Sequence, residues 1–301
     1  MIKRIFYFNI NYTCNNNCIF CYSHNTIHNS KVHNEISLKC FIKYLENNNI
    51  SSDDRVILNG GEPLMHSNIN EILEILKTIR CETVIFTNGR LLDRINLSIL
   101  NEKFRFVVPI HGYENLHDEV TRVEGSYIET VKAMKLFDNE FNKCLIDLKI
   151  ILNDGMIKNK EEFKKTLNAL DTIYFNNAVH ITKMADTIVS KKNKCVSMND
   201  NNIVAHYTQL LFNHFSKYNH NIKIFDTCIK DIKEVEYYSF DKLEYCIQIK
   251  GKDYAHEENI EICKNLIDCM NECKKKKYCL SSVFDYKVLE FSENRFYENM
   301  E

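Results

Sequence analysis

The feature that most constrains this chain is an alternation of short β-branched and aromatic runs with longer amphipathic ones, repeated six times before residue 220. Strands are expected at Ile5–Asn11, Arg55–Leu58, Thr83–Thr87, Phe104–Ile110, Leu145–Leu152 and Ala178–Thr182. Between and after them come helical patterns. Ser37–Asn47 carries Leu38, Phe41, Ile42 and Leu45 on one side. Ile69–Ile79, Leu91–Leu100, a run N-capped by Ser126 and reaching about Phe137, Glu161–Leu170, and Ile203–Phe215 complete the set. Six β-α units in succession predict an α/β fold with a parallel sheet and right-handed crossovers. Periodicity alone leaves open whether the units close partly into a barrel or stay open and doubly wound.

Past residue 220 the pattern changes. Ile222–Phe225 reads as a short strand, Glu234–Phe240 and Leu243–Lys250 as a hairpin turning near Asp241, and residues 256–272 as helical, with a Cys- and Lys-rich stretch after them. The expected organisation is a main domain over 1–220 and a small Cys-rich α+β extension over 221–301. An apolar fraction of 45% in 301 residues supports a sizeable core. A net charge of −2 gives no field for nucleic acid. No run approaches the ~18 apolar residues of a membrane span. The apolar stretch after Lys3 and Arg4 is interrupted by Asn9, Asn11 and Asn15, so a signal peptide is not expected and the cytoplasm is. The heavy use of Asn, Lys and Ile reads as compositional bias without function.

Thirteen cysteines in such a chain point to metal or redox chemistry rather than disulfides. Cys40, Cys81, Cys144 and Cys195 are scattered and read as small buried hydrophobes. Cys14, Cys18 and Cys21 form a C-x3-C-x2-C loop directly after the first strand. Three thiolates at this spacing can hold three irons of a 4Fe-4S cube and leave the fourth iron open, as catalytic metal sites do. A zinc site completed by His24 or a distant residue is the structural alternative.

Glycine is used sparingly. Gly60 and Gly61 follow the second strand, Gly89 the third and Gly112 the fourth. These are the C-terminal strand ends of a parallel β/α fold, where ligands bind. Asn59-Gly60-Gly61-Glu62-Pro63 puts backbone groups beside a carboxylate in a rigid turn that can hydrogen-bond an ammonium group. Thr87-Asn88-Gly89 offers short polar side chains suited to ribose hydroxyls, although each segment alone also reads as an ordinary turn.

Together, C-x3-C-x-aromatic-C with Phe20 in the aromatic place, Gly-Gly-Glu-Pro and Thr-Asn-Gly resemble the radical S-adenosylmethionine (SAM) superfamily over about residues 5–185. The resemblance implies a partial (β/α)6 barrel whose 4Fe-4S cluster, on Cys14, Cys18 and Cys21, binds SAM at its open iron. It implies reductive cleavage of SAM to a 5′-deoxyadenosyl radical that takes hydrogen from a substrate. Gly60, Gly61, Glu62 and Pro63 would form the turn serving the methionine amino group, and Thr87 and Asn88 would lie near the ribose. The segment His111-Gly112-Tyr113, then His117-Asp118, Arg122 and Gly125-Ser126-Tyr127, resembles the fourth unit of peptide- and protein-modifying members. Pro109 and His111 stand where those enzymes commonly have Ser and Asp. Arg122 is a candidate for the SAM carboxylate, and Asn153 for adenine. His111 is either a proton carrier or a structural histidine.

The tail cysteines Cys228, Cys246, Cys263, Cys269, Cys273 and Cys279 resemble the SPASM or twitch extensions that hold auxiliary clusters. Six can fully ligate one further cluster, with Cys228 and Cys246 its safest ligands; a second, incompletely ligated cluster and a zinc knob are the other readings. Lys274–Lys277 is either a solvated loop or a charge patch for an electron donor such as flavodoxin or ferredoxin. The function this implies is hydrogen abstraction from a ribosomally made peptide, giving a crosslinked or epimerised product. The alternatives are a radical SAM enzyme that matures a protein or acts on a small molecule, and a non-catalytic iron–sulfur or zinc protein.

Overall fold

The computed structural model describes residues 4–21, 35–138, 144–184, 201–218, 220–225, 243–249 and 260–263. Seven strands run parallel in chain order: β1 (Ile5–Asn11), β2 (Arg55–Gly60), β3 (Glu82–Phe86), β4 (Phe104–Ile110), β5 (Leu145–Leu152), β6 (Ala178–Lys183) and β7 (Asn221–Phe225). The sheet order β7-β6-β5-β4-β3-β2-β1-β8-β9 does not close on itself, so the fold is an open, partial barrel. Of the two architectures the periodicity left open, this is the barrel-like one. The helices are α1 (Leu38–Asn47), α2 (Ile69–Ile79), α3 (Asn115–Thr121), α4 (Ser126–Lys135), α5 (Asp154–Lys158), α6 (Lys160–Leu170) and α7 (Asn201–Ser216).

The two faces of the sheet differ. Phe6, Phe8, Leu58, Ile85, Phe106, Leu148 and Ile181 point to the helix side and are fully buried there. Phe8 meets Phe41 of α1 edge-on at 5.1 Å, and Phe106 meets Phe137 at 5.6 Å. Each such side chain contributes about 1.5–3 kcal/mol by burial. Residues of alternate parity line the inner face. There Ile57, Val84, Val107, Asp147 and His180 are buried and form a floor.

Some local expectations are corrected. Leu91–Leu100 is two single 3₁₀ turns, Leu92–Arg94 and Leu97–Ile99. Asn96 restarts the chain between them by accepting from the Ser98 N–H at 3.1 Å, and Leu92, Ile95 and Ile99 reach the core without a continuous helix. Ser126 begins α4 but does not cap it. Its hydroxyl donates to Asp118, which also accepts from the Gly125 and Tyr127 N–H groups at 2.6 and 2.8 Å. β7 continues the parallel sheet beyond residue 220. β8 (Leu243–Ile249) pairs parallel with β1, and β9 (Ile260–Cys263) lies antiparallel to β8. The helix expected over 256–272 is therefore a strand at 260–263, where Ile260 and Ile262 alternate with polar residues. The other expected hairpin arm, 234–240, lies outside the described residues.

Candidate active site at the upper rim

The Cys14–Cys21 loop leaves the end of β1 and is pinned on three sides by its neighbours. The Gly60-Gly61 backbone runs against it: Gly61 N–H donates to Asn11 O at 3.0 Å and Glu62 N–H to Thr13 O at 2.7 Å. A Cβ on Gly61 would stand 2.2 Å from Thr13 O, and one on Gly60, whose φ is +144°, 2.2 Å from Asn11 O. Only glycine allows this approach. The Asn11 amide returns a bond to Glu62 O at 2.7 Å.

Glu62 joins the second strand end to the third. Its carboxylate accepts from Leu64 N–H at 3.0 Å, from the Thr87 hydroxyl at 2.7 Å and from Asn88 N–H at 2.7 Å. Burial pushes its pKa up to about 6, against the pull of those bonds. Pro63 is buried and opens the 3₁₀ turn Pro63–Met65. Asn88 reaches the cysteine loop, donating to Asn15 Oδ1 at 2.6 Å. Arg90 finishes the clamp: it donates to Asn15 O at 2.6 Å and Asn16 Oδ1 at 2.9 Å, and pairs with Glu129 at 2.7 Å.

The third side is the fourth unit. Asn17 N–H donates to Thr121 O and Ile19 N–H to Val120 O, both at 2.9 Å. Phe20 meets His111 edge-on at 5.2 Å, and His111 stacks on His117 at 5.1 Å. The His111 N–H donates to His117 Nδ1. Burial lowers the His117 pKa to about 4 and that of His111 well below the usual range. A buried neutral ring fits the structural reading of His111 better than that of a charged proton carrier. Asn153 caps α5 by accepting from Met156 N–H, and its amide donates to His111 O at 2.7 Å, tying the ends of β4 and β5. Arg122 is exposed, in the left-handed region at φ 56°, directly after the turn that pairs with the cysteine loop.

Cys14, Cys18 and Cys21 form no disulfide, and each keeps some accessible surface. Burial, then the charge of Glu62, pushes Cys14 up to about 12; burial and then Cys14 and Cys21 raise Cys18. A cation is what such thiolates lack. Among the described residues no three His, Cys, Asp or Glu side chains stand close enough to hold one metal ion.

Residues 8–170 match the Radical SAM superfamily. The chain belongs to that family. It is therefore a radical SAM superfamily enzyme, and the family uses SAM and a 4Fe-4S cluster. The subtilosin biosynthesis protein AlbA of Bacillus subtilis is 27% identical over 139 residues, covering 44% of this chain and 30% of AlbA. Streptococcus suis SuiB bound to its precursor peptide SuiA superposes with a TM-score of 0.58 at 15% identity, over 75% of this chain and 49% of SuiB. The enzyme anSMEcpe with bound SAM superposes at 0.56 and 15% identity, over 73% of this chain and 61% of its own. The chain thus spans under a third of AlbA and about half of that SuiB structure.

Sequence reasoning missed Asn15, Asn16 and Arg90, having set the Asn-rich composition aside. Of the tail cysteines, Cys246 and Cys263 are direct register partners on β8 and β9. Cys228, Cys269, Cys273 and Cys279 lie outside the described residues, as does Lys274–Lys277. No described helix is long and apolar enough to cross a membrane.

Proposed function

We propose that this enzyme modifies a ribosomally made peptide by abstracting hydrogen from it, crosslinking or epimerising the product. The observation that carries the reading is the clamped cysteine loop at a rim joined to a fourth unit that resembles that of peptide- and protein-modifying members. It is supported by similarity to a bacteriocin biosynthesis protein and to a fold crystallised with a precursor peptide. Cys14, Cys18 and Cys21 would hold the cluster. Bound there, cluster and SAM together supply reductive cleavage and a 5′-deoxyadenosyl radical.

The chain's own residues do the rest. Gly60 and Gly61 let the loop sit against β2, and Asn88 and Arg90 hold its backbone in place. Glu62, Thr87 and Pro63 make rigid the turn that would serve the methionine amino group, so that positioning would require little reorganisation. Phe20 packs edge-on against the neutral His111–His117 stack and so ties the loop to the fourth unit. Arg122 would take the SAM carboxylate and Asn153 would border the adenine. In the tail, the six cysteines would hold an auxiliary cluster in a SPASM- or twitch-like extension, fed by a flavodoxin or ferredoxin in the cytoplasm.

Anaerobic reconstitution should give a brown protein with about eight irons for two full clusters. Reduction with SAM should release 5′-deoxyadenosine. Co-expression with small peptides encoded beside the gene should yield, by mass spectrometry, a peptide lighter by a pair of hydrogens or one of unchanged mass and altered chirality. A colourless zinc protein that leaves SAM intact would overturn the reading.

A further inference from the structure

Above the buried floor, the inner face of the barrel carries a ring of partly accessible residues: Asn59, Phe86, Pro109, Lys149 and Thr182, one from each of β2 to β6. Along their strands they stand between the floor residues and the rim. Asn59 and Phe86 each stand one residue before a rim group, Gly60 and Thr87. Lys149 is the one charged residue of the ring. Its ammonium lies 5.5 Å from the centre of the Phe86 ring.

That contact is the partner the ammonium has among the described residues, where no carboxylate reaches it. Asp147, two residues along the same strand and on the same face, is already committed. It accepts from His180 Nε2 at 2.6 Å and from Ala178 N–H at 3.2 Å, and Arg105 stands 3.9 Å away. The deeper cations are matched: Arg55 pairs with Glu82 at 3.0 Å, and Arg105 with Glu82 at 3.6 Å. An ammonium withdrawn from water calls for a counter-charge, and an aromatic face supplies only part of one. Burial accordingly lowers the Lys149 pKa to about 8.

The anion that would meet it is a carboxylate. Lys149 is the one cation of that ring among the described residues, and a single ammonium matches a single negative charge better than a phosphate. Depth distinguishes substrate from cofactor. Lys149 lies three residues before Leu152, the end of β5, or about 10 Å below it at the rise of a strand. Its register partner on β4 is Pro109, two residues short of His111 at the rim. The cofactor's anchors are on the rim itself.

We propose that Lys149 docks a carboxylate of the substrate, the side chain of an Asp or Glu beside the position that loses hydrogen, and so selects acid-bearing peptides. The inference rests on the peptide reading above and specifies its substrate class.

The test uses the reconstituted enzyme with SAM and short synthetic peptides, N-acetylated and C-amidated, that differ only in a central Glu or Gln. Free glutarate is a third probe. Wild type should bind the Glu peptides about tenfold more tightly than the Gln peptides, the scale of one charge-assisted hydrogen bond. Lys149→Arg should keep most of that preference and Lys149→Met should abolish it. Thermal melts and iron content confirm that both variants fold. Equal binding of both peptides by wild type, or a Glu preference that survives in Lys149→Met, overturns the proposal. So does a lowered affinity for SAM in Lys149→Met with the Glu preference intact, which assigns the lysine to the cofactor. Glutarate binding that depends on Lys149, with no peptide bound, upholds the carboxylate site and sinks the peptide reading instead. No binding of any of the three overturns both.

Discussion

Two buried carboxylates sit at opposite ends of the same barrel and are solved in opposite ways. Asp147, near the lower end, is enclosed with His180, Arg105 and Asn177. Burial opposes its ionisation, but those partners outweigh it and hold the carboxyl below the usual range. Glu62, at the upper rim, meets only uncharged donors: two N–H groups and one hydroxyl. There burial wins and the carboxyl titrates at about 6. The lower end is an ion-pair network that fixes the strands to one another. The upper end spends its polar groups, the Arg90–Glu129 pair among them, on the shape of one loop.

If that division is right, variants at the two ends should fail differently. Cys14→Ala should lower 5′-deoxyadenosine release by on the order of a thousandfold or more. It should also lower iron content while changing the stability of the iron-free chain by less than about 1 kcal/mol. Asp147→Ala removes the buried carboxylate that His180 Nε2 meets at 2.6 Å and should cost about 3–5 kcal/mol in urea unfolding. The fraction that remains folded should bind iron as wild type does. A folded Asp147→Ala protein without iron at the triplet would break the separation.

The next test sharpens the upper end. In Gly61→Ala the new methyl meets Thr13 O at 2.2 Å, so the strand entering the cysteine loop must move. Overpacking of this kind costs about 1–3 kcal/mol, and here it should also reduce iron occupancy. Gly125→Ala is the control. Its φ is +77° but nothing lies within 4 Å of the added Cβ, so it carries only the left-handed penalty of about 1–2 kcal/mol. Equal iron loss in both would show that the glycine pair has no special bearing on the loop.

The contrast between the ends also explains what could be read from the chain itself. The upper end was legible because its chemistry is local: a three-cysteine loop, a Gly-Gly-Glu-Pro turn and a Thr-Asn-Gly turn each announce themselves within three to eight residues. The strands were legible because each buries one face under helices, giving β-branched and aromatic runs. The lower network was not, since Arg55, Glu82, Arg105, Asp147 and His180 come from five different strands and meet only through sheet register. Asn15, Asn16 and Arg90 stayed hidden for the same reason, their partners lying more than seventy residues apart in sequence for the Arg90 bonds. The Leu91–Leu100 stretch kept helical periodicity but not a helix, because Asn96 offers the backbone a competing acceptor.

The smallest effects give the most direct comparison, because they differ in sign. Glu62→Gln and Asp147→Asn each remove a titrating group while keeping its size. In the iron-free chain, the folded pKa of Glu62 is raised from an unfolded value near 4.5 to about 6. Its contribution to stability is therefore full below 4.5 and is lost as pH rises through about 6, by about 2 kcal/mol in all. Wild type should lose ground to Glu62→Gln over that window. Asp147 runs the other way. Its folded pKa is depressed below 3.8, so its contribution is present above 3.8 and is lost as pH falls through the folded value. Wild type should lose ground to Asp147→Asn on acidification. Urea midpoints at stepped pH would show the two slopes. Slopes of the same sign would mean that neutral donors and ion pairs treat a buried carboxylate alike at the two ends, and the division between a clamping rim and a stabilising floor would fall.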